Sequence, residues 1–238
     1  FTLPPLLLHA MITGDASRLR EWINTLALPS DRTAFFNFTA SHDGIGVRPV
    51  EGILPPEEVE RVIAHTRACG GRVSTKRNSD GSDSPYELNV TYVDAIGGPG
   101  ASDALKAARF ITSQTIALSL AGVPGIYIHS LLGSVNDLEG MAQTGHNRSI
   151  NRAKLDADAV ANEISDPEHL RGMITPELLR RISIRRQQPA FHPNGHQQAL
   201  DSGQPGVLAL QRRAPDDSQT ILCLFNLTQK DQTVALDH

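Results

Sequence analysis

Cysteine is scarce in this sequence, with two among 238 residues. Cys69 and Cys223 lie far apart, and they form neither a CxxC pair nor any other spacing typical of metal ligands. A disulfide-stabilised secreted scaffold and a structural zinc site are therefore excluded. Buried free thiols are favoured over a single disulfide, and this predicts a reducing, cytoplasmic location.

Long apolar runs and an excess of one charge are also absent. No segment approaches the roughly 20 apolar residues that span a bilayer, and no basic region leads into a signal-type core. The formal net charge is -4 and the pI about 6.1, so we expect neither nucleic acid nor a membrane as a partner. The nine histidines form no HExxH pattern and no GxSxG motif is present, so we expect no metal and no organic cofactor.

An initiator methionine is missing as well. The chain begins at Phe1 directly in an apolar stretch and stops soon after a strand-like segment. We therefore expect a piece of a longer protein. Its length still allows one large domain, or one and a half smaller ones, with a proper core.

The most informative stretch present is residues 35–46. An aromatic run, Phe-Phe-Asn-Phe-Thr-Ala, is followed by Ser-His-Asp-Gly-Ile-Gly. The run is short and rich in β-formers, which predicts a buried strand with His42 and Asp43 at its carboxyl end. Sites of parallel α/β folds are built at such strand ends. A capped strand end, with Asp43 satisfying backbone donors, explains these residues equally well.

The remaining pattern predicts an α/β body followed by a small antiparallel β domain. A second buried strand at 122–129 follows a helical crossover, which is typical of parallel βα repeats. We place the boundary near residues 190–194, so that 1–190 form the body and 191–238 the β domain. The predicted helices begin at Pro4, Asp15 and Pro55 or occupy 102–120, 156–164 and 167–187, and the other strands are 34–40, 73–76, 86–89, 207–212, 220–226 and 233–236.

The polar residues at the ends of the two buried strands suit a carbohydrate. Carboxylates, arginine and amides bind sugar hydroxyls, and apolar rings cover sugar faces. Asp43 would be ionised and buried near an oxocarbenium-like transition state, and Arg148, in the polar cluster 144–152, would hold a sugar hydroxyl or help to keep neighbouring carboxylates ionised. A surface arginine in a loop is the alternative explanation for Arg148.

Four motifs, in order, resemble the sucrose phosphorylase branch of the α-amylase superfamily. They are Leu-Pro-Pro-Leu-Leu-Leu-His at 3–9, His-Asp-Gly-Ile-Gly-Val at 42–47, Gly-Val-Pro-Gly-Ile-Tyr at 122–127 and Asn-Arg-Ser-Ile-Asn-Arg at 147–152. The resemblance implies the C-terminal portion of a (β/α)8 TIM barrel, from the end of strand six to helix eight, before a small antiparallel β domain. It also implies a retaining α-glucoside phosphorylase that uses a small sugar substrate and inorganic phosphate and forms α-glucose 1-phosphate, without a cofactor.

The same resemblance implies roles for five residues. Asp43 corresponds to the catalytic transition-state stabiliser, His42 to a donor that holds a glucosyl hydroxyl, and Arg148 to the arginine of the glucosyl subsite. Tyr86 and Glu87 fall in the mobile acceptor loop. The nucleophilic Asp and the acid/base Glu of the family lie upstream of Phe1, so this chain supplies neither.

One departure bears on the acceptor. Sucrose phosphorylases carry Gln where Glu87 stands and lack the continuation at 48–52. In both respects this sequence resembles the relatives that act on glucosylglycerate or sucrose phosphate. A polyol or anionic acceptor is therefore expected rather than fructose. Two alternatives remain open: a hydrolase or transglucosylase of the same superfamily, or a non-catalytic fragment. Two or three strands cannot close a barrel, so the latter would self-associate through open edges as a homo-oligomer.

Overall fold

The computed structural model describes residues 1–30 and 32–235. Helices and strands alternate over most of its length and a β-meander follows. The helices are α1 (Leu3–Thr13), α2 (Ser17–Thr25), α3 (Pro56–Ala68), α4 (Tyr92–Gly97), α5 (Asp103–Ser119), α6 (Ile128–Leu131), α7 (Leu138–Thr144), α8 (Ala157–Ser165) and α9 (Leu170–Arg186), with 3-10 turns at Arg48–Val50, Asn147–Asn151 and Pro189–Phe191. The strands are β1 (Phe36–Asn37), β2 (Ile45–Gly46), β3 (Arg72–Arg77), β4 (Asp83–Asn89), β5 (Val123–Pro124), β6 (His196–Leu200), β7 (Val207–Arg213) and β8 (Thr220–Asn226).

Helix boundaries follow the local sequence signals. Prolines occupy the first turns of α1 and α3, where a backbone donor is not needed. The Ser102 hydroxyl accepts from the Leu105 N–H and caps α5. Gly14 ends α1 with a φ of +65°, a conformation that favours glycine. The predicted helices are confirmed. In α5 the buried positions centre on Phe110, Gln114 and Ala117.

The two strands expected to be buried are shorter and more open than predicted. β1 and β5 pair in parallel, as expected, but each holds two residues, with Phe36 opposite Val123. Phe36 is 67% exposed and Val123 is 46% exposed, so the prediction of burial over 34–40 and 122–129 is wrong for this chain. In the part of the chain that the structure describes, β1 and β5 each have one hydrogen-bonded neighbour, namely each other.

A second sheet has three strands in the order β2-β4-β3. The strands predicted at 73–76 and 86–89 are confirmed as parts of β3 and β4, which pair antiparallel with Ser74 opposite Glu87. β2 follows the His42–Asp43 loop directly and pairs with β4 so that Gly46 lies opposite Glu87. This pairing brings the end of the 35–46 stretch against the acidic strand β4.

The C-terminal sheet has the order β6-β7-β8, antiparallel throughout. β7 and β8 confirm two predicted strands. β6 was missed because it begins His-Gln-Gln and carries no apolar run. The strand predicted at 233–236 is wrong over 233–235, which have no regular structure, and Leu236 lies outside the described residues.

One continuous core joins the helices to the C-terminal sheet. It includes leucines of α1, Phe110 of α5, and Leu208, Leu210 and Phe225 of the sheet. The fully buried Arg212 of β7 donates to the carbonyl oxygens of Ser119, His192 and His196 and so ties the end of α5 to the sheet. Among the described residues, no helix has both the length and the apolar content to cross a bilayer.

Candidate active site

The carboxylate of Asp43 lies at the centre of a cluster of charged side chains. Its Oδ1 is 3.0 Å from Nη1 of Arg148, 3.1 Å from Nη2 of Arg152 and 3.4 Å from Nε2 of His42. Its other oxygen, Oδ2, accepts no hydrogen bond from the described residues. The Asp43 side chain is 35% exposed and not buried as predicted, so a ligand can reach it. The alternative of a capped strand end, in which Asp43 accepts from backbone N–H groups, is not observed within residues 1–30 and 32–235. The partners of its carboxylate are side chains, and both arginines come from a distant segment.

Glu87 holds the other side of Arg148. Its Oε1 accepts from Arg148 Nε at 3.0 Å and its Oε2 from Arg148 Nη2 at 2.8 Å, a bidentate pair. Glu87 is buried, and its Oε1 also accepts from Asn89 Nδ2 at 2.6 Å. The hydrogen bonds to Glu87, with the charges of Glu87 and Asp43, raise the pKa of Arg148. Arg148 therefore bridges two carboxylates and stays charged.

Polar contacts and close packing hold the segments that carry Asp43, Glu87 and Arg148. Ser74 donates to Asn89 Oδ1 at 2.7 Å and accepts from Asn147 Nδ2 at 3.2 Å, which ties β3 and β4 to the 3-10 turn that carries Arg148. Gly44 lies so close to β4 that a Cβ there would be 2.4 Å from the Leu88 carbonyl oxygen. Glycine is required because the loop after Asp43 must contact the β4 backbone.

The backbone of the His42–Asp43 loop is held by two consecutive residues. Asn151 Nδ2 donates to the Asp43 carbonyl oxygen at 2.6 Å, and Arg152 Nε donates to the His42 carbonyl oxygen at 2.7 Å. The sequence reasoning did not single out either residue as part of the site. The second arginine of the 147–152 motif was the available signal for Arg152.

A shallow aromatic hollow of about 290 Å³ adjoins His42. Phe36, Phe38 and Tyr127 line it together with His42, and the rings of Phe36 and Phe38 are 5.8 Å apart. An apolar surface next to carboxylates and guanidinium groups matches the two halves of a sugar ring, whose faces are apolar and whose edge carries hydroxyls.

The structure thus brings Asp43, His42, Arg148 and Glu87 together. Tyr86 lies on β4 beside Glu87 and is 42% exposed. The resemblance implied a mobile loop for both residues, whereas the sequence pattern predicted a strand at 86–89; the structure has them in β4, which pairs with β2 and β3. The Glu87 carboxylate points to Arg148 and not into open solvent.

Comparison with curated proteins finds several phosphorylases that match most of the chain. The sequence is 45% identical to the glucosylglycerate phosphorylase of Spirochaeta thermophila over 98% of this chain, 44% identical to that of Allomeiothermus silvanus over 99%, and 42% identical to that of Escherichia coli over 98%. A sucrose phosphorylase of Agrobacterium vitis is 29% identical over 85% of the chain and 40% of its own length. The chain spans about two fifths of these relatives, namely 39%, 42% and 42% of the three glucosylglycerate phosphorylases.

Two solved structures have a similar fold over most of this chain. The sucrose 6F-phosphate phosphorylase of Thermoanaerobacter thermosaccharolyticum superposes with a TM-score of 0.76 at 22% identity, over 94% of this chain and 42% of that protein. An α-amylase from H. orenii superposes with a TM-score of 0.54 at 12% identity, over 95% and 38%. No protein-family model matches the sequence.

Proposed function

We propose that the chain belongs to the sucrose phosphorylase branch of the α-amylase superfamily and forms the C-terminal part of a retaining α-glucoside phosphorylase, as its similarity to the glucosylglycerate phosphorylases supports. The enzyme transfers a glucosyl group between an acceptor and inorganic phosphate and forms α-glucose 1-phosphate. The observation that carries this proposal is the placement of Asp43 between Arg148 and Arg152, next to an aromatic hollow.

The parallel ribbon of β1 and β5 is, in this proposal, part of a (β/α)8 barrel formed by residues 1–190, and the β6–β8 sheet belongs to a second domain, 191–238. Asp43 and the 147–152 motif follow β1 and β5 along the chain, and sites of such barrels lie on the loops after the strands. The open edges of β1 and β5 would then pair with barrel strands supplied by the rest of the protein.

Retaining glucosyl transfer needs a nucleophile and an acid/base group about 5 Å apart, and positive charge develops on the sugar ring at the transition state. The upstream part of the protein supplies those two groups. Asp43 contributes a fixed negative charge, which stabilises the positively charged ring, and its Oδ2 is available to a sugar hydroxyl. His42, 68% exposed at its side chain, donates to another glucosyl hydroxyl. Arg148 orients Asp43 and, through its exposed edge, a hydroxyl of the same ring.

A three-carbon anionic acceptor, glycerate, fits the relatives best. Three relatives at 42–45% identity are named glucosylglycerate phosphorylases. Tyr86 and Glu87 flank the acceptor side in this proposal, where Tyr86 contacts the acceptor and Glu87 determines how much of the Arg148 guanidinium is free to contact it.

The test uses the longer protein that carries the upstream Asp and Glu. Purified enzyme is given α-glucose 1-phosphate with glycerate, glycerol, fructose or fructose 6-phosphate, and released phosphate is measured. We expect phosphate release to be fastest with glycerate. A complete lack of phosphate release with all four acceptors would overturn the proposal. Hydrolysis of the glucoside at a rate independent of phosphate would instead support a hydrolase of the same superfamily.

The predicted cytoplasmic location and homo-oligomer remain predictions. Phe36 and Val123 are exposed on the ribbon of β1 and β5. We therefore expect residues 1–238 alone to self-associate and not to turn over substrate. Sedimentation of this segment tests that expectation, and a monomer would count against it.

A further inference from the structure

Asn151 and Arg152 donate three side-chain hydrogen bonds to His42 and Asp43. Two of them go to consecutive backbone carbonyls: Asn151 Nδ2 to Asp43 at 2.6 Å and Arg152 Nε to His42 at 2.7 Å. The third, from Arg152 Nη2, goes to the Asp43 carboxylate at 3.1 Å. Backbone and side chain of Asp43 are therefore fixed by one neighbouring pair of residues, which we call the 151–152 clamp.

The clamp is anchored firmly on its own side. Asn151 is 6% exposed, and Ile150 before it is fully buried. The Asn151 carbonyl oxygen accepts from the Tyr127 hydroxyl at 2.7 Å, which links the clamp to the segment after β5. Arg148 lies on the same 3-10 turn, Asn147–Asn151. Both arginines that contact Asp43 thus belong to one anchored unit.

The backbone of His42 and Asp43 has few other hydrogen bonds. In the part of the chain that the structure describes, the backbone groups of His42 and Asp43 form no hydrogen bond with another backbone group. The Asp43 N–H donates to the Ser41 hydroxyl at 3.2 Å, a contact within the loop itself. The clamp is therefore the main hydrogen-bonded attachment of the His42 and Asp43 backbone to a distant element, beside the ion pair of Asp43 with Arg148 and the packing of Gly44 on β4.

We propose that Asn151 and Arg152 are positioning residues that hold the Asp43 carboxylate in its working orientation. The kinetic part of the proposal rests on the proposed function. An arginine is needed at 152 because its planar fork reaches a carbonyl and a carboxylate at once, whereas a lysine ammonium reaches one of them. Asn151 is needed because its amide donates to the Asp43 carbonyl from a buried position.

The first test is a double-mutant cycle of Arg152→Lys and Asp43→Asn in the longer enzyme. Arg152→Lys alone is expected to lower kcat about 10- to 100-fold, because one charge-assisted hydrogen bond is lost at a preorganised group. Its KM for α-glucose 1-phosphate stays within about 3-fold of wild type, since binding is shared by other groups. In the Asp43→Asn background the same change lowers kcat by less than about 2-fold, since Asp43 is the group through which Arg152 acts.

Arg180→Lys is the matched control. Arg180 also makes two hydrogen bonds, to Glu177 at 2.8 and 2.7 Å, but on the exposed surface of α9, and its substitution is expected to leave kcat unchanged. Additive losses in the cycle, or wild-type kcat for Arg152→Lys, would overturn the proposal.

The second test does not depend on activity. Hydrogen exchange of the peptide covering residues 41–46 is compared among wild type, Arg152→Lys and Arg180→Lys. We expect exchange about 10-fold faster in Arg152→Lys only, since released loops open more often. Equal exchange in all three proteins would overturn the clamp. If the wild type hydrolyses the glucoside without using phosphate, the phosphorylase proposal fails, and the same cycle measured on hydrolysis still decides the role of the clamp.

Discussion

Replacing Glu87 by glutamine removes one negative charge from the site while it preserves the side-chain shape. The Glu87 side chain is 7% exposed, and both of its oxygens accept from Arg148. In Glu87→Gln one of these oxygens becomes an amide nitrogen. Whichever way the amide turns, this nitrogen faces a donor, either Arg148 Nη2 or the pair Arg148 Nε and Asn89 Nδ2.

The size of the effect follows from those contacts. A hydrogen bond to a charged group contributes about 1.5–3 kcal/mol, and the variant loses at least one of them. Removing one partner of a fully buried ion pair costs about 3–5 kcal/mol, but Arg148 is 43% exposed at its side chain and water compensates for part of that loss. We therefore expect the free energy of unfolding to fall by about 2 kcal/mol. Arg148 also loses its fixed orientation against Asp43, so kcat for glucosyl transfer should fall about 10- to 30-fold.

Two measurements check this in the longer enzyme: urea unfolding and steady-state phosphate release from α-glucose 1-phosphate with glycerate. Glu177→Gln is the control, since Glu177 pairs with arginines on the exposed surface of α9 and surface pairs contribute about 0–1 kcal/mol. Wild-type stability together with wild-type kcat in Glu87→Gln would refute the structural role of Glu87.

Two further substitutions test the packing around the site and the attachment of the C-terminal sheet. Gly44→Ala places a Cβ 2.4 Å from the Leu88 carbonyl oxygen and should lower the free energy of unfolding by about 1–3 kcal/mol. In the control Gly46→Ala, the atom nearest to the new Cβ is Pro49 Cδ at 3.8 Å. Equal melting temperatures for the two variants would contradict the close approach of Gly44 to β4. Arg212→Met leaves three carbonyl oxygens without their guanidinium donor and should cost about 2–4 kcal/mol in urea unfolding. Arg213→Met, which removes an exposed pair with Asp217, is its control, and an equal loss in both would contradict the account of Arg212.

Local signals in the sequence predicted most of the helices and the antiparallel strands. Proline in a first turn and a serine cap depend on the residues within one turn, so α1, α3 and α5 were correctly placed. The hairpin of β3 and β4 depends on two β-forming runs joined by a polar turn, which are also adjacent in the chain.

Burial could not be predicted in the same way, because it depends on what packs against a segment. The aromatic run at 35–38 has the composition of an interior strand, yet Phe36 is exposed where β1 has one hydrogen-bonded partner among the described residues. β6 is the opposite case. Its first residues are polar and do not indicate a strand, and it forms one because it pairs with β7.

The sequence named part of the cluster around Asp43, without Asn151 and Arg152, and none of the contacts within it. Motif resemblance selected Asp43, His42 and Arg148, and the structure brings His42 and Arg148 within 3.4 Å of the Asp43 carboxylate. The bidentate pair of Glu87 with Arg148 joins residues 61 positions apart, and the contact of Arg152 with the His42 carbonyl joins residues 110 positions apart. Such pairs require the fold, since spacing in one sequence does not indicate which distant side chains meet.

The most direct test of the central claim is the turnover of Asp43→Asn in the longer enzyme. If Asp43 stabilises the glucosyl transition state, kcat for phosphate release from α-glucose 1-phosphate should fall about 100- to 1,000-fold. The melting temperature should stay within about 3 °C of wild type, since the side chain is partly exposed and the shape is conserved. Turnover equal to wild type in a folded variant would contradict the assignment of Asp43 and, with it, the account of this site.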